Sequence, residues 1–122
     1  MILLIAAAAA MNPCERAGTQ ADSTECAWKQ FRQADQVLNT QYRNAIAEAV
    51  RRDSHGWKDR RPSDVEALRS AQRAWINFRD LHCRVEGYWG RGGTIESMLV
   101  NFCFTRLTRE RTEQLRKMWH RR

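Results

Sequence analysis

The residues of this chain that could do chemistry are four cysteines, three histidines, a serine beside a histidine, and charged groups set among apolar ones. Ser54-His55 would need a third, orienting group to act as nucleophile and base, and adjacency in sequence does not make a triad. His82 and His120 stand alone, and "GRGG" (Gly90–Gly93) lacks the rest of a phosphate-loop motif. Carboxylates are scattered beside arginines at helix-surface spacings. No pair of cysteines has C-x-x-C spacing, and His82 beside Cys83 cannot readily aim at the same ion. The pattern argues against an enzyme and calls for neither metal nor cofactor.

Cys14, Cys26, Cys83 and Cys103 read instead as two disulfides, an even count in a chain of 122 residues. The opening "MILLIAAAAAMNPC" supplies the matching compartment. An apolar run passes into small residues and then into an abruptly polar chain, as in a secretory signal, although no basic residue precedes it. Residues 1–10 are the expected signal peptide and 11–122 the single domain, periplasmic or secreted. The apolar run falls well short of the roughly 20 residues that span a bilayer, so no transmembrane span is expected.

Three helices must position these groups. The first, from about Asp22 to Arg52, carries Ala27, Phe31, Ala34, Leu38, Tyr42, Ala45 and Ala49 at spacings of three and four. Thr19 with Asp22 offers a capping box and Gly56 a stop. The second follows Pro62, with Ser63 and Glu66 as its box. Its stripe is Val65, Leu68, Ala71 or Gln72, Trp75, Phe78 or Arg79, and Val85, ending at Gly87; Trp75, Ile76 and Phe78 are all expected to be buried. The third starts at Thr94 as N-cap and shows Ile95, Met98, Leu99, Phe102, Leu107, Leu115, Met118 and Trp119 to the interior. No segment alternates with period two, so the fold class is all-α. Short connections make neighbours antiparallel, giving an up-down-up bundle with all four cysteines at one pole. Local bridges, Cys14 with Cys26 and Cys83 with Cys103, are preferred; the other pairings stay open.

Some charges fall on the packed side. Asp35 lies four after Phe31, Arg79 four after Trp75, and Arg111 between Leu107 and Leu115. A buried ion is seldom left unpaired, because desolvation costs several kcal/mol. Asp35 is therefore expected to pair with Arg111 or Arg79, while Asn39 and Gln72 satisfy leftover hydrogen bonds. The alternative is that these groups line a small binding cleft.

The net charge of +7 is unevenly spread. Helix one (22–50) has three basic and four acidic residues, helix two (63–86) four of each. The loop 51–61 has five basic against two acidic, and the tail 104–122 seven against two. Loop and tail meet at the pole opposite the cysteines. Arg51, Arg52, Lys58, Arg60, Arg61, Arg116, Lys117, Arg121 and Arg122, with Trp57 and Trp119 nearby, form a candidate anion-binding pole. The competing reading, a solvated, arginine-rich surface that keeps the domain soluble, stands slightly ahead of it.

Three stretches carry a resemblance. "ECAWKQFRQADQVLNTQY", "LRSAQRAWINFRDLHC" and "CFTRLTRERTEQL", with the Gly92-Gly93-Thr94 turn, resemble the LprI-like lysozyme inhibitor N-terminal domain family from about Cys14 to Leu115. The resemblance implies a small, secreted or periplasmic, helical, disulfide-containing protein with a lysozyme as partner. A +7 chain meets repulsion from a basic lysozyme, which slows association. An inhibitory surface is thus expected on the near-neutral first two helices, or against a less basic lysozyme. Lysozyme inhibition through a protein interface is the leading expectation. Its rival is an envelope scaffold, or a binder of anionic envelope polymers or lipids, that uses the basic pole; export and disulfides disfavour nucleic acid.

Overall fold

The computed structural model describes residues 12–56 and 58–120. Three helices, α1 (Gln20–His55), α2 (Asp64–Gly87) and α3 (Glu96–Lys117), run up, down and up, and the described residues contain no strand. One-turn 3-10 segments, Pro13–Arg16 and Tyr88–Gly90, precede α1 and follow α2. α3 packs most extensively along α1, with α2 against both. Ala27, Ala34, Ala45 and Ala49 make this possible: small side chains on one line of α1 let a neighbouring backbone come close.

The ends of the helices follow local chemistry. The Thr19 hydroxyl accepts from the Asp22 amide at 3.2 Å while the Asp22 carboxylate accepts from the Thr19 amide at 3.1 Å, a complete capping box. Ser63 accepts from the Glu66 amide at 3.2 Å, and the two free donors before it in α2 are taken from outside. Asp53, near the end of α1, accepts from the Asp64 amide at 2.8 Å and the Val65 amide at 3.1 Å. One carboxylate thus ties the end of α1 to the start of α2. Helix α3 departs from expectation, because its N-cap is Ile95 with no side-chain capping bond rather than Thr94. The turn does the capping instead: the Gly93 carbonyl accepts from the Glu96 amide at 3.4 Å.

The apolar core lies toward the α1–α2 connection. Leu38, Ala45, Ala49, Leu68 and Leu115 are buried there, with Tyr42, Ile46, Val65, Trp75 and Trp119 packed around them. Trp119 stands beyond the end of α3, and its indole donates to the Ala45 carbonyl at 3.1 Å. At the other pole, disulfides replace core volume. Cys14–Cys26 and Cys83–Cys103 both form, with Cα–Cα separations of 5.4 Å, and Gln20 of α1 reaches Met98 of α3 beside them. Each bridge is worth about 2–4 kcal/mol in so small a domain.

Candidate functional site

Helix α2 carries two stripes, and only one of them is covered. The inner stripe is Leu68, Gln72, Arg79 and Cys83, all buried. The outer one is Ala67, Ala71, Ala74, Phe78, Leu81 and Val85, all exposed at spacings of three and four, continued past the helix end by Trp89. Phe78 is 56% exposed, Leu81 48%, Val85 66% and Trp89 91%. The sequence-based expectation that Phe78, Ile76 and Val85 turn inward is therefore corrected, with Ile76 also on the exposed side. The reason is that Gln72 and Arg79 take the inward places, one residue further round the helix at each step.

Arg79 can be buried because its surroundings suit a guanidinium. Its terminal carbon lies 5.2 Å from the ring centres of Phe31 and Trp75 and 5.1 Å from Phe104. Planar cations stack well on aromatic faces. Asp35 stands 3.8 Å away, Asp80 accepts from Nε at 3.0 Å, and the buried Thr108 hydroxyl accepts at 3.4 Å. Arg111 does not reach Asp35. It donates to Gln72 at 3.0 Å and Gln114 at 3.1 Å, leaves one terminal nitrogen buried without a partner, and burial pushes its pKa down. Asn39 is exposed and makes no side-chain hydrogen bond with the described residues. At about 100° per residue, it lies further round α1 from the Leu38 line than Asp35 does. The polar groups inside the bundle are thus largely tied to one another, which suits a structural role.

Around the large apolar half of the outer stripe, the free charge is mostly positive. Arg73, Arg84 and Arg91 are exposed, and none has an ion-pair partner among the described residues. Arg73 donates only to Ser70, and Arg91 stacks 4.4 Å over the Tyr88 ring. Two of the nearby carboxylates are engaged, Asp80 by Arg79 and Glu86 by both Arg106 and His82, while Glu96, beside Arg84 and Tyr88, has no ion-pair partner among the described residues. His82 also stacks on Phe78, with ring centres 5.3 Å apart.

At the opposite pole the pattern reverses, and most cations are already partnered. Arg51 pairs with Glu48, Arg52 with Asp64 at 3.0 Å while stacking 4.5 Å over Trp119, and Arg61 with Asp59 at 2.6 Å. Arg116 and Lys117 share Glu113, and Lys58 donates to the Asp53 carbonyl at 2.7 Å. Arg60 is exposed there, whereas Trp57, Arg121, Arg122 and residues 1–11, including the expected signal peptide, lie outside the described residues. A cleft of about 760 Å³ opens between Arg52, Asp53, Lys58, Asp59, Arg61 and Asp64, so its lining mixes both signs. The folded chain sets acidic residues from α1, α2 and α3 directly against these cations, so the basic excess of the two segments is largely paired rather than free.

Among the described residues the histidines form no nucleophile–base pair. Ser54 donates to the Val50 carbonyl at 3.0 Å, and His55 and His120 each meet a carbonyl one helical turn back, Arg51 at 3.1 Å and Arg116 at 2.9 Å. His82, Glu86 and Cys103 bring potential ligand atoms within 4.8 Å of one another, but the Cys103 sulfur is bonded to Cys83. That leaves two ligands, one already held by Arg106.

The α2–α3 turn is compact. A side chain at Gly87 would meet Val100 at 2.4 Å and one at Gly90 would meet Ile95 at 2.5 Å, so the helices close tightly beneath it. Gly92 adopts a φ of +78°, which favours glycine, with open space outside. The sequence signal for this whole surface was present: Phe78, Leu81, Val85 and Trp89 have helical spacing of their own. It was hidden because the inner and outer stripes overlap within one short segment.

Comparison with known proteins gives this arrangement a context. Residues 10–115 match the family described as Lysozyme inhibitor LprI. The chain is similar to an uncharacterized protein of Rhizobium meliloti (strain 1021), 39% identical over 107 residues that cover 86% of this chain and 77% of that one. No solved structure matches. The chain belongs to the lysozyme inhibitor LprI family.

Proposed function

We propose that this member of the lysozyme inhibitor LprI family inhibits a lysozyme through the outer face of α2, acting outside the cytoplasm as an oxidised protein. The observation that carries this reading is the exposed line of Phe78, Leu81, Val85 and Trp89 at helical spacing along one face of α2. Contiguous exposed apolar residues commonly mark a protein interface. Aromatic side chains with arginines at their edge are the composition that dominates binding energy at such interfaces. Helix α2 has as many acidic as basic residues between 63 and 86, but the unpaired charges beside this face include Arg73, Arg84 and Arg91, so a less basic lysozyme is the better match. Two disulfides and the match to an inhibitor family support the setting, and no helix among the described residues is long and apolar enough to cross a membrane.

The test is a titration of oxidised protein, beginning at Met11, into cell-wall lysis assays with lysozymes of differing charge. The reading requires saturable inhibition of at least one enzyme that survives moderate salt. It also requires that Phe78→Asp with Val85→Asp abolish the inhibition without lowering the melting temperature. Binding to anionic polymer that collapses steeply with salt, with no lysozyme inhibited, would favour the basic pole instead.

A further inference from the structure

The α2–α3 turn stands at the end of the apolar face, and its chemistry is more specific than that of a general contact surface. Trp89 is 91% exposed, the most exposed large apolar residue described. Two residues on, Arg91 lies over the Tyr88 ring at 4.4 Å with no carboxylate partner among the described residues. Glycines 90, 92 and 93 surround Arg91, so the turn is narrow, and the position outside Gly92 is open. It is also held in shape. The Arg91 amide donates to the Tyr88 carbonyl at 3.1 Å, the Gly93 amide to the Gly90 carbonyl at 2.8 Å, and Cys83–Cys103 locks the two helices below. A preformed element loses little freedom when it binds.

A partner that fits must offer carboxylates for an unpaired guanidinium and room for an indole. Glycoside hydrolases carry a pair of carboxyl groups flanking the bond they cleave, set in a cleft shaped for a sugar chain. Resting on the inhibitor reading, we propose that the turn Tyr88–Gly93 enters the substrate cleft of the lysozyme. Arg91 lies against its paired catalytic carboxylates, and Trp89 fills space otherwise taken by a sugar ring. Phe78, Leu81 and Val85 then pack on the rim of the cleft. Inhibition is competitive: the guanidinium holds the carboxyl groups in the charged state that cannot donate a proton to the leaving oxygen, while the indole excludes substrate.

The experiment uses the oxidised protein, one lysozyme it inhibits, and tri-N-acetylchitotriose as a probe that occupies the cleft. The expected results are a rise in apparent KM at constant kcat and displacement of the inhibitor by the trisaccharide. Arg91→Glu and Trp89→Ala should each lose about tenfold or more in affinity, as central Trp and Arg contacts usually do. Both side chains are exposed, so circular dichroism and melting should match the parent protein; Arg91→Lys should restore part of the affinity lost in Arg91→Glu. Inhibition by the parent protein with no trisaccharide competition and no effect of either substitution would overturn the cleft assignment while leaving the inhibitor reading standing. If the parent protein inhibits no lysozyme in the panel, the reading itself fails and the cleft assignment falls with it.

Discussion

Phe78 and Arg79 are neighbours on α2 and face opposite ways: the arginine is 8% exposed, the phenylalanine 56%. A charged residue occupies the interior while an aromatic one meets solvent. Phe31, Trp75 and Phe104 stabilise the guanidinium from its faces, and Asp35, Asp80 and Thr108 engage it at its edge. Among the described residues, the ring stacked on Phe78 is His82, at its side, and more than half of the phenylalanine stays exposed. The arrangement makes sense if Arg79 belongs to the fold and Phe78 to a partner.

The two residues should therefore answer differently to substitution. Arg79→Ala removes packing from three rings and leaves the Thr108 hydroxyl without its donor, costing about 2–4 kcal/mol after allowance for the solvation of Asp35 and Asp80. Phe78→Ser should change stability by no more than about 0.5 kcal/mol while weakening inhibition. Thermal melts of the two variants beside the lysis assay separate the roles.

Much of the fold was legible in the sequence because its signals are local. Spacing in Ala27–Ala49 gives α1, Thr19 with Asp22 starts it, and helix ends near Cys26, Cys83 and Cys103 place the cysteines at one pole. The choice between Ala71 and Gln72, or between Phe78 and Arg79, was not legible. Adjacent residues lie about 100° apart on a helix, and hydrophobicity alone turns the aromatic inward. What decides it is the cage of Phe31 and Phe104, which comes from the other two helices. Asp53 was missed for the same reason: its partners, Asp64 and Val65, belong to the next helix. The candidate surface was the least legible part, since an unpartnered stripe resembles a core stripe until the bundle is assembled.

Asp53 gives a prediction in pH. Partial desolvation pushes its carboxyl up, but hydrogen bonds from the Val65 and Asp64 amides, together with Lys58, bring its pKa below the usual value of 3.8. A carboxyl lowered in the folded state stabilises fully above the ordinary carboxylate range, and that contribution fades as pH falls through the folded value. Asp53→Asn should melt below the parent protein at neutral pH. The gap should close toward strongly acidic pH, where both carry a neutral side chain. A gap that stays constant from neutral to acid would mean the charge is not what joins α1 to α2.

The disulfides should separate in function while agreeing in stability. Replacing Cys14 and Cys26 by serine, or Cys83 and Cys103, should each cost about 2–4 kcal/mol. Only the second pair lies beneath the Tyr88–Gly93 turn. Loss of Cys83–Cys103 should therefore weaken inhibition at temperatures where both variants remain folded, whereas loss of Cys14–Cys26 should leave it near the parent value. Melting curves with inhibition measured well below both transitions would check this.

The central claim is that the outer face of α2 meets the lysozyme. Hydroxyl-radical footprinting of the oxidised protein, free and saturated with an inhibited lysozyme, reads this at the side chains themselves. Phe78, Leu81 and Trp89 should be protected on binding, while Trp28 on α1, 45% exposed in the free protein, should react as before. Protection at Trp28 or at the Arg52–Trp119 pole, with the α2 side chains unchanged, would contradict the account.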